Sequence, residues 1–78
     1  MNDIKKVASV SERLQEALRV KKMRQADLAY VTGIAKGTIS NWITGKYEPK
    51  SASIAKLAIA LDCSDLWLMG FDTTMDRW

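Results

Sequence analysis

Apolar residues recur along this chain at spacings of three and four, and no stretch alternates cleanly enough for a strand. From Val10 to Lys22, the residues Val10, Leu14, Ala17 and Leu18 fall on one face, leaving Glu12, Arg13, Glu16 and Arg19 towards solvent. Ser9 and Glu12 fit a capping box at the start of that helix. A second, short helix is predicted over Gln25 to Val31, with Leu28 and Ala29 inward. It ends at Thr32-Gly33, where glycine reaches positive φ at little cost. A third runs from Lys36 to Ile43 and stops at Thr44-Gly45; Lys46 to Pro49 then form a loop, because Pro49 disfavours helical geometry just before it. Ile54, Leu57, Ala58 and Leu61 make the stripe of a fourth helix, Ser51 to Leu61. Ser64 caps a fifth that ends near Met69, with Gly70 as its stop. The expectation is an all-α, compact five-helix domain over residues 9–70, preceded by a flexible arm, residues 1–8. Residues 71–78 follow as a tail, linker or dimer contact.

Composition narrows the chemistry. At 78 residues with 47% hydrophobic content, the chain suits one small globular domain rather than a disordered segment. It has no histidine and one cysteine, Cys63, so an internal disulfide, a Cys/His zinc site and a Ser-His or Cys-His nucleophile are all excluded. Scattered carboxylates in so short a chain do not make an enzyme; no catalytic residue, metal, cofactor or small-molecule substrate is expected. Cys63 reads as a small core residue. No apolar run reaches the ~18 residues of a membrane span, and the longest, Ile54 to Leu61, is interrupted by Lys56. The first ten residues lack the apolar region of a secretory signal, so a cytoplasmic location away from membranes is expected.

The net charge of +3 conceals an asymmetry. Residues 1–56 hold 11 Lys/Arg against 5 Asp/Glu, a balance of +6, whereas residues 57–78 hold Arg77 against four aspartates, a balance of −3. A basic front with an acidic tail suits a polyanionic partner.

The segment Gln25 to Gly45 gives that partner a shape. Two short helices meet across a tight turn at Gly33, with small Ala29 where they pack and Ile34 closing the turn inward. Ile39 and Trp42 form the buried side of the second of them. Its other side carries Lys36, Gly37, Thr38, Ser40, Asn41 and Thr44, with no acidic residue among them. A helix apolar behind and hydrogen-bonding in front, without negative charge, meets the requirements of the DNA major groove.

At these residues the chain resembles the lambdoid phage repressor and Cro-type helix-turn-helix family. The likeness extends from about Val10 to Met69. It includes Arg24 to Ala29, Gly33-Ile34, Thr38 to Trp42, Gly45-Lys46, Pro49, Ile54 to Leu61 and Cys63-Ser64. The resemblance implies a lambda repressor-like domain that binds double-stranded operator DNA as a homodimer and regulates transcription. It places Lys36, Gly37, Thr38 and Asn41 where the family reads bases, and Gln25 where it contacts a phosphate. Thr44, Lys46 and Tyr47 match the loop that grips the sugar-phosphate backbone, and Ser40 caps, packs or touches phosphate. Two residues depart from the pattern. Ala35 stands where a Ser or Thr cap is usual, and Gly37 offers no side chain at a base-reading position. The expectation for Gly37 is that its bare backbone approaches the groove closely, leaving Lys36 and Asn41 to dominate the readout.

The tail allows two readings. Trp67, Phe71 and Trp78 either supply a dimer contact, or Trp67 and Phe71 close the domain's own core while Trp78 frays at the terminus. The functional expectation is a phage or mobile-element repressor that seats a dimer on a palindromic operator and occludes a promoter. An antitoxin-type autoregulator and a protein-interaction module retaining the fold are the alternatives.

Overall fold

The computed structural model describes residues 5–77. Five helices follow one another: α1 (Val10–Lys21), α2 (Gln25–Thr32), α3 (Lys36–Ile43), α4 (Ser51–Leu61) and α5 (Asp65–Leu68). No strand occurs among the described residues, which carry a single isolated bridge between Lys6 and Phe71. None of these helices is long and apolar enough to cross a membrane.

Local chemistry explains the ends of α1. The Ser9 hydroxyl accepts from the Glu12 amide at 3.0 Å, and the Glu12 carboxylate accepts from the Ser9 amide at 2.9 Å. The Ser9 amide foremost, and the Ser9 hydroxyl donating to the same carboxylate at 3.1 Å, hold the Glu12 carboxyl below its usual range. The helix stops one residue before the expected Lys22, which turns left-handed at φ 57° and caps it. The Met23 amide then reaches the Leu18 carbonyl at 2.9 Å. The same device ends α4 at Asp62, φ 50°.

Leu14, Ala17, Leu28, Ile39, Leu57, Ala58, Leu61, Cys63 and Leu68 are fully buried, and Val10, Leu18, Trp42, Ile54 and Trp67 complete the apolar core around them. Helix α4, packed against α1, α2 and α5, supplies four of the buried side chains. Arg13 is a correction to the sequence reading: it is only 9% exposed. Its position, three residues after Val10 and four before Ala17, lies on the buried stripe. The guanidinium donates to the Trp67 carbonyl at 3.0 Å and lies 4.7 Å from the Trp67 ring centroid. Trp67 therefore belongs to the domain's own core, and the dimer role open to it is not available. Phe71 is half-buried, and Trp78 lies outside the described residues.

Residues 5–8 depart from the loose arm expected of them. The amides of Val7 and Ala8 donate to the Gly70 carbonyl at 2.8 and 3.1 Å, and the Asp72 amide donates to the Lys5 carbonyl at 2.7 Å. Further along, the Ser64 amide donates to the Met75 carbonyl at 2.7 Å, and Arg77 reaches the Cys63 carbonyl at 3.3 Å.

Cys63 is fully buried, and loss of hydration pushes its thiol from 9.0 up to about 11, with Lys21 the chief opposing charge. The folded protein is expected to resist alkylation at pH 8 and to react readily in urea. Because the folded value lies above the ordinary one, the buried thiol's contribution is intact below pH 9.0 and is lost as pH rises towards 11. Unfolding curves across that range check this, with Cys63→Ala lacking the decline.

Candidate nucleic-acid interface

The turn between α2 and α3 is three residues long, Gly33 to Ala35. Gly33 sits at φ 74°, and its amide closes α2 on the Ala29 carbonyl at 2.9 Å. Thr32 organises the corner: its hydroxyl donates to the Leu28 carbonyl at 2.6 Å and accepts from the Ile34 amide at 3.2 Å. Ile34 and Ala29 pack against the core. At the start of α2, Gln25 is the first helical residue and half-buried, while the Asp27 carboxylate accepts from the Arg24 amide at 2.9 Å.

Helix α3 occupies the span expected, Lys36–Ile43, and buries Ile39 and Trp42. Ile43 packs beside them. At about 100° per residue, the direction opposite this buried side is occupied by Gly37, Asn41 and Thr44. Lys36 and Ser40 flank that centre on one side and Thr38 on the other. Lys36, Gly37, Thr38 and Thr44 are exposed, and Asn41 and Ser40 are half-buried. A Cβ built on Gly37 meets nothing within 4 Å, so neither packing nor left-handed backbone demands a glycine there. Ala35, at the N-cap, provides no side-chain bond to the first turn.

The far end of α3 is tied firmly. Gly45, at φ 81°, donates to the Trp42 carbonyl at 3.2 Å, and the Lys46 amide donates to the Asn41 carbonyl at 2.9 Å, which is the paired closure of a Schellman turn. The Thr44 hydroxyl also donates to the Asn41 carbonyl at 3.2 Å. Exposed Lys46 and Tyr47 project from this closure, with the ammonium 5.7 Å from the ring centroid. The structure thus brings Lys36, Gly37, Thr38, Ser40 and Asn41 together on α3 with Thr44 as its C-cap, and Lys46 and Tyr47 immediately beyond. Gln25 stands apart, at the start of α2.

Two residues of α1 escaped the sequence reading. The Ser11 hydroxyl donates to the carbonyl of Ile43, and the Gln15 side-chain amide donates to the same oxygen at 3.0 Å. Gln15 also reaches the Ser11 hydroxyl at 3.2 Å. Their spacing of four was the available signal, but a polar pair at that spacing on a helix ordinarily faces water.

A helix-turn-helix family model matches residues 14–68, well over half of the chain. The chain belongs to the lambda repressor-like helix-turn-helix family. The structure of this helix-turn-helix protein is similar to a solved structure of the P22 c2 repressor in complex with synthetic operator 9T in the presence of Tl+. The two are 30% identical with a TM-score of 0.76, and the match covers 85% of this chain and 100% of that one. No curated protein sequence gives a significant match. The all-α fold expected from periodicity is therefore the fold of this family.

Proposed function

We propose that this helix-turn-helix protein represses transcription by seating a dimer on a palindromic operator, where it excludes RNA polymerase from an overlapping promoter. Family membership makes it a DNA-binding regulator; the operator, the dimer and the sense of regulation are the proposal. The observation that carries it is the outward face of α3, centred on Gly37, Asn41 and Thr44 and free of acidic residues. The P22 c2 repressor, solved on a synthetic operator, supports DNA as the partner.

In this reading α3 enters the major groove. Lys36 donates to guanine O6 or N7, Asn41 pairs with an adenine edge, and Thr38 offers its methyl to thymine or its hydroxyl to a phosphate. Gln25, Ser40, Thr44, Lys46 and Tyr47 hold the sugar-phosphate backbone and so set the register. Two copies address half-sites about one helical turn apart. A cytoplasmic site of action goes with this role.

Selection from random duplex DNA at roughly physiological salt tests the proposal. An enriched inverted repeat is the expected result, and a folded protein that enriches nothing would overturn specific recognition by this chain. On the recovered site, Lys36→Ala and Asn41→Ala are expected to cost ~1–3 kcal/mol each and to relax base preference, as competition with single-base variants would read out. Lys46→Ala should weaken all sequences alike and shallow the salt slope by about one phosphate's worth, ~0.9 in log–log terms. A protein-docking module with the same fold would show no such slope.

Gly37→Ala separates stability from recognition. The space around Gly37 is open and its backbone unstrained, so alanine should raise unfolding stability by about 0.5–1 kcal/mol. Operator affinity should fall at the same time, because the new methyl stands at the centre of the face meant to approach the groove. Unchanged affinity would remove the close-approach role from Gly37.

A further inference from the structure

We propose that Ser11 and Gln15 of α1 are positioning residues that fix the angle of α3, and through it the protein's discrimination between bases. The inference rests on the DNA-reading role of α3 proposed above and adds residues outside the helix-turn-helix itself.

Helix α3 is a weak helix by its own chemistry. It has eight residues, too few to be stable alone. Its N-cap, Ala35, gives no side-chain bond, and Gly37 in its first turn lowers helix propensity. Its placement therefore comes from outside. Ile39 and Trp42 bury its inner face, but apolar contact is non-directional and resists rotation or sliding only through shape. The Schellman closure at Gly45 joins α3 to its own following loop, so it does not fix the helix against the rest of the domain.

The contacts with direction are those at Ile43. Its carbonyl is one of the last of α3 and has no later turn of the helix to accept. Ser11 Oγ and Gln15 Nε2 both donate to it, and Gln15 Nε2 also donates to Ser11 Oγ, so three atoms form a closed triangle. Ser11 stands within the Ser9–Glu12 capping box, and Gln15 one turn later on the same helix, so both donors sit on a firmly capped helix. A Cβ built on Gly45 would lie 3.9 Å from Ser11 Cβ and Oγ, so the loop after α3 passes close to the same serine.

Base readout needs side chains held to about 0.5 Å and 10–20° of their working geometry. A small rotation of α3 about its length would carry Asn41 off the groove centre and bring Ser40 or Thr38 towards it. It would leave Lys46, on the following loop, still able to meet a phosphate. Loss of the clamp should therefore damage specific binding far more than general attraction to DNA.

The test compares the wild-type protein with Ser11→Ala, Gln15→Met, the double variant and Ser11→Thr. Each is measured on the selected operator and on an unrelated duplex of equal length, at one salt concentration and well below its unfolding midpoint. Gln15→Met keeps side-chain length without a donor, and Ser11→Thr keeps the hydroxyl. For the double variant, operator affinity should fall about tenfold while affinity for the unrelated duplex changes less than about twofold. Ser11→Thr should retain the wild-type ratio. Equal losses on both duplexes would reduce the clamp to plain stabilisation of the fold, and no loss on either would remove it altogether. Should Ser11→Ala fail to fold, Gln15→Met, at an exposed residue, decides the matter alone with the same two duplexes. A wild-type protein that does not prefer the operator overturns the DNA-reading role itself, and the clamp's role with it. A preference that survives in the variants overturns the clamp alone.

Discussion

Replacing Gly70 with alanine is expected to remove at least a third of the protein's stability. Gly70 sits at φ 100°, a backbone region that L-residues rarely adopt, which alone costs ~1–3 kcal/mol for a side chain. Space is the graver problem. A Cβ at this position would lie 1.9 Å from the Ala8 carbonyl oxygen and 2.9 Å from its carbon. Both are backbone atoms, so no rotamer change relieves the overlap. The chain must pull residues 5–8 away, breaking the bonds from Val7 and Ala8 to the Gly70 carbonyl. Strain and overlap together should cost about 4 kcal/mol, against a total stability of roughly 4–12 kcal/mol for a chain of this size. Thermal unfolding followed by circular dichroism should show the midpoint lowered by at least ~15 °C. A midpoint within a few degrees of wild type would mean that residues 5–8 do not pack on Gly70 in solution. Gly70→Ala contrasts with Gly37→Ala, where open space and ordinary backbone give the opposite sign.

Arg13→Ala is the second large effect, at about 3 kcal/mol. A buried guanidinium usually faces a carboxylate; here its partners are a carbonyl and a ring. The Trp67 carbonyl lies at the end of α5, where the helix dipole is negative, and it also accepts from the Gly70 amide at 2.9 Å. A hydrogen bond from a charged donor contributes ~1.5–3 kcal/mol, and a desolvated cation–π contact up to about 2 kcal/mol. Truncation also removes the aliphatic stem from between α1 and α5. Arg13→Met should recover only the stem's share. Arg13→Lys should fall short of wild type, because an ammonium cannot lie flat on the indole while donating in its own plane. Urea unfolding of the three variants orders them, and Arg13→Met matching the wild type would show that the charge contributes nothing.

Arg13 also marks the limit of what periodicity reveals. The spacing of apolar residues located α3 and α4 to the residue, because Gly45, Pro49 and Ser51 punctuate the chain on either side. It also placed Trp42 and Cys63 in the core, and Gly33 at the turn. It assigned Arg13 to solvent only because polarity, rather than position, was read, and the partner that makes burial tolerable is 54 residues away. The same holds at the interface. Lys36, Gly37, Thr38 and Asn41 share a short helix, so their common face follows from 3.6 residues per turn. The Ser11 and Gln15 bonds to Ile43 span 32 and 28 residues, and no local rule connects those positions. The pairing of residues 5–8 with Gly70 and Asp72 is likewise a long-range match, carried by backbone amides that leave no mark on residue type.

That pairing determines how the domain responds to tension between its ends. The bonds Asp72 to Lys5, then Val7 and Ala8 to Gly70, lie in order along a short antiparallel pairing, with Lys5 and Asp72 at its outer end. Force applied there does not shear the pair; it peels the bonds apart one after another, once the hold on Met75 and Arg77 has slipped. The pairing of residues 5–8 with Gly70 and Asp72 thus works as a sacrificial fastening, which gives way before α3 is dislodged.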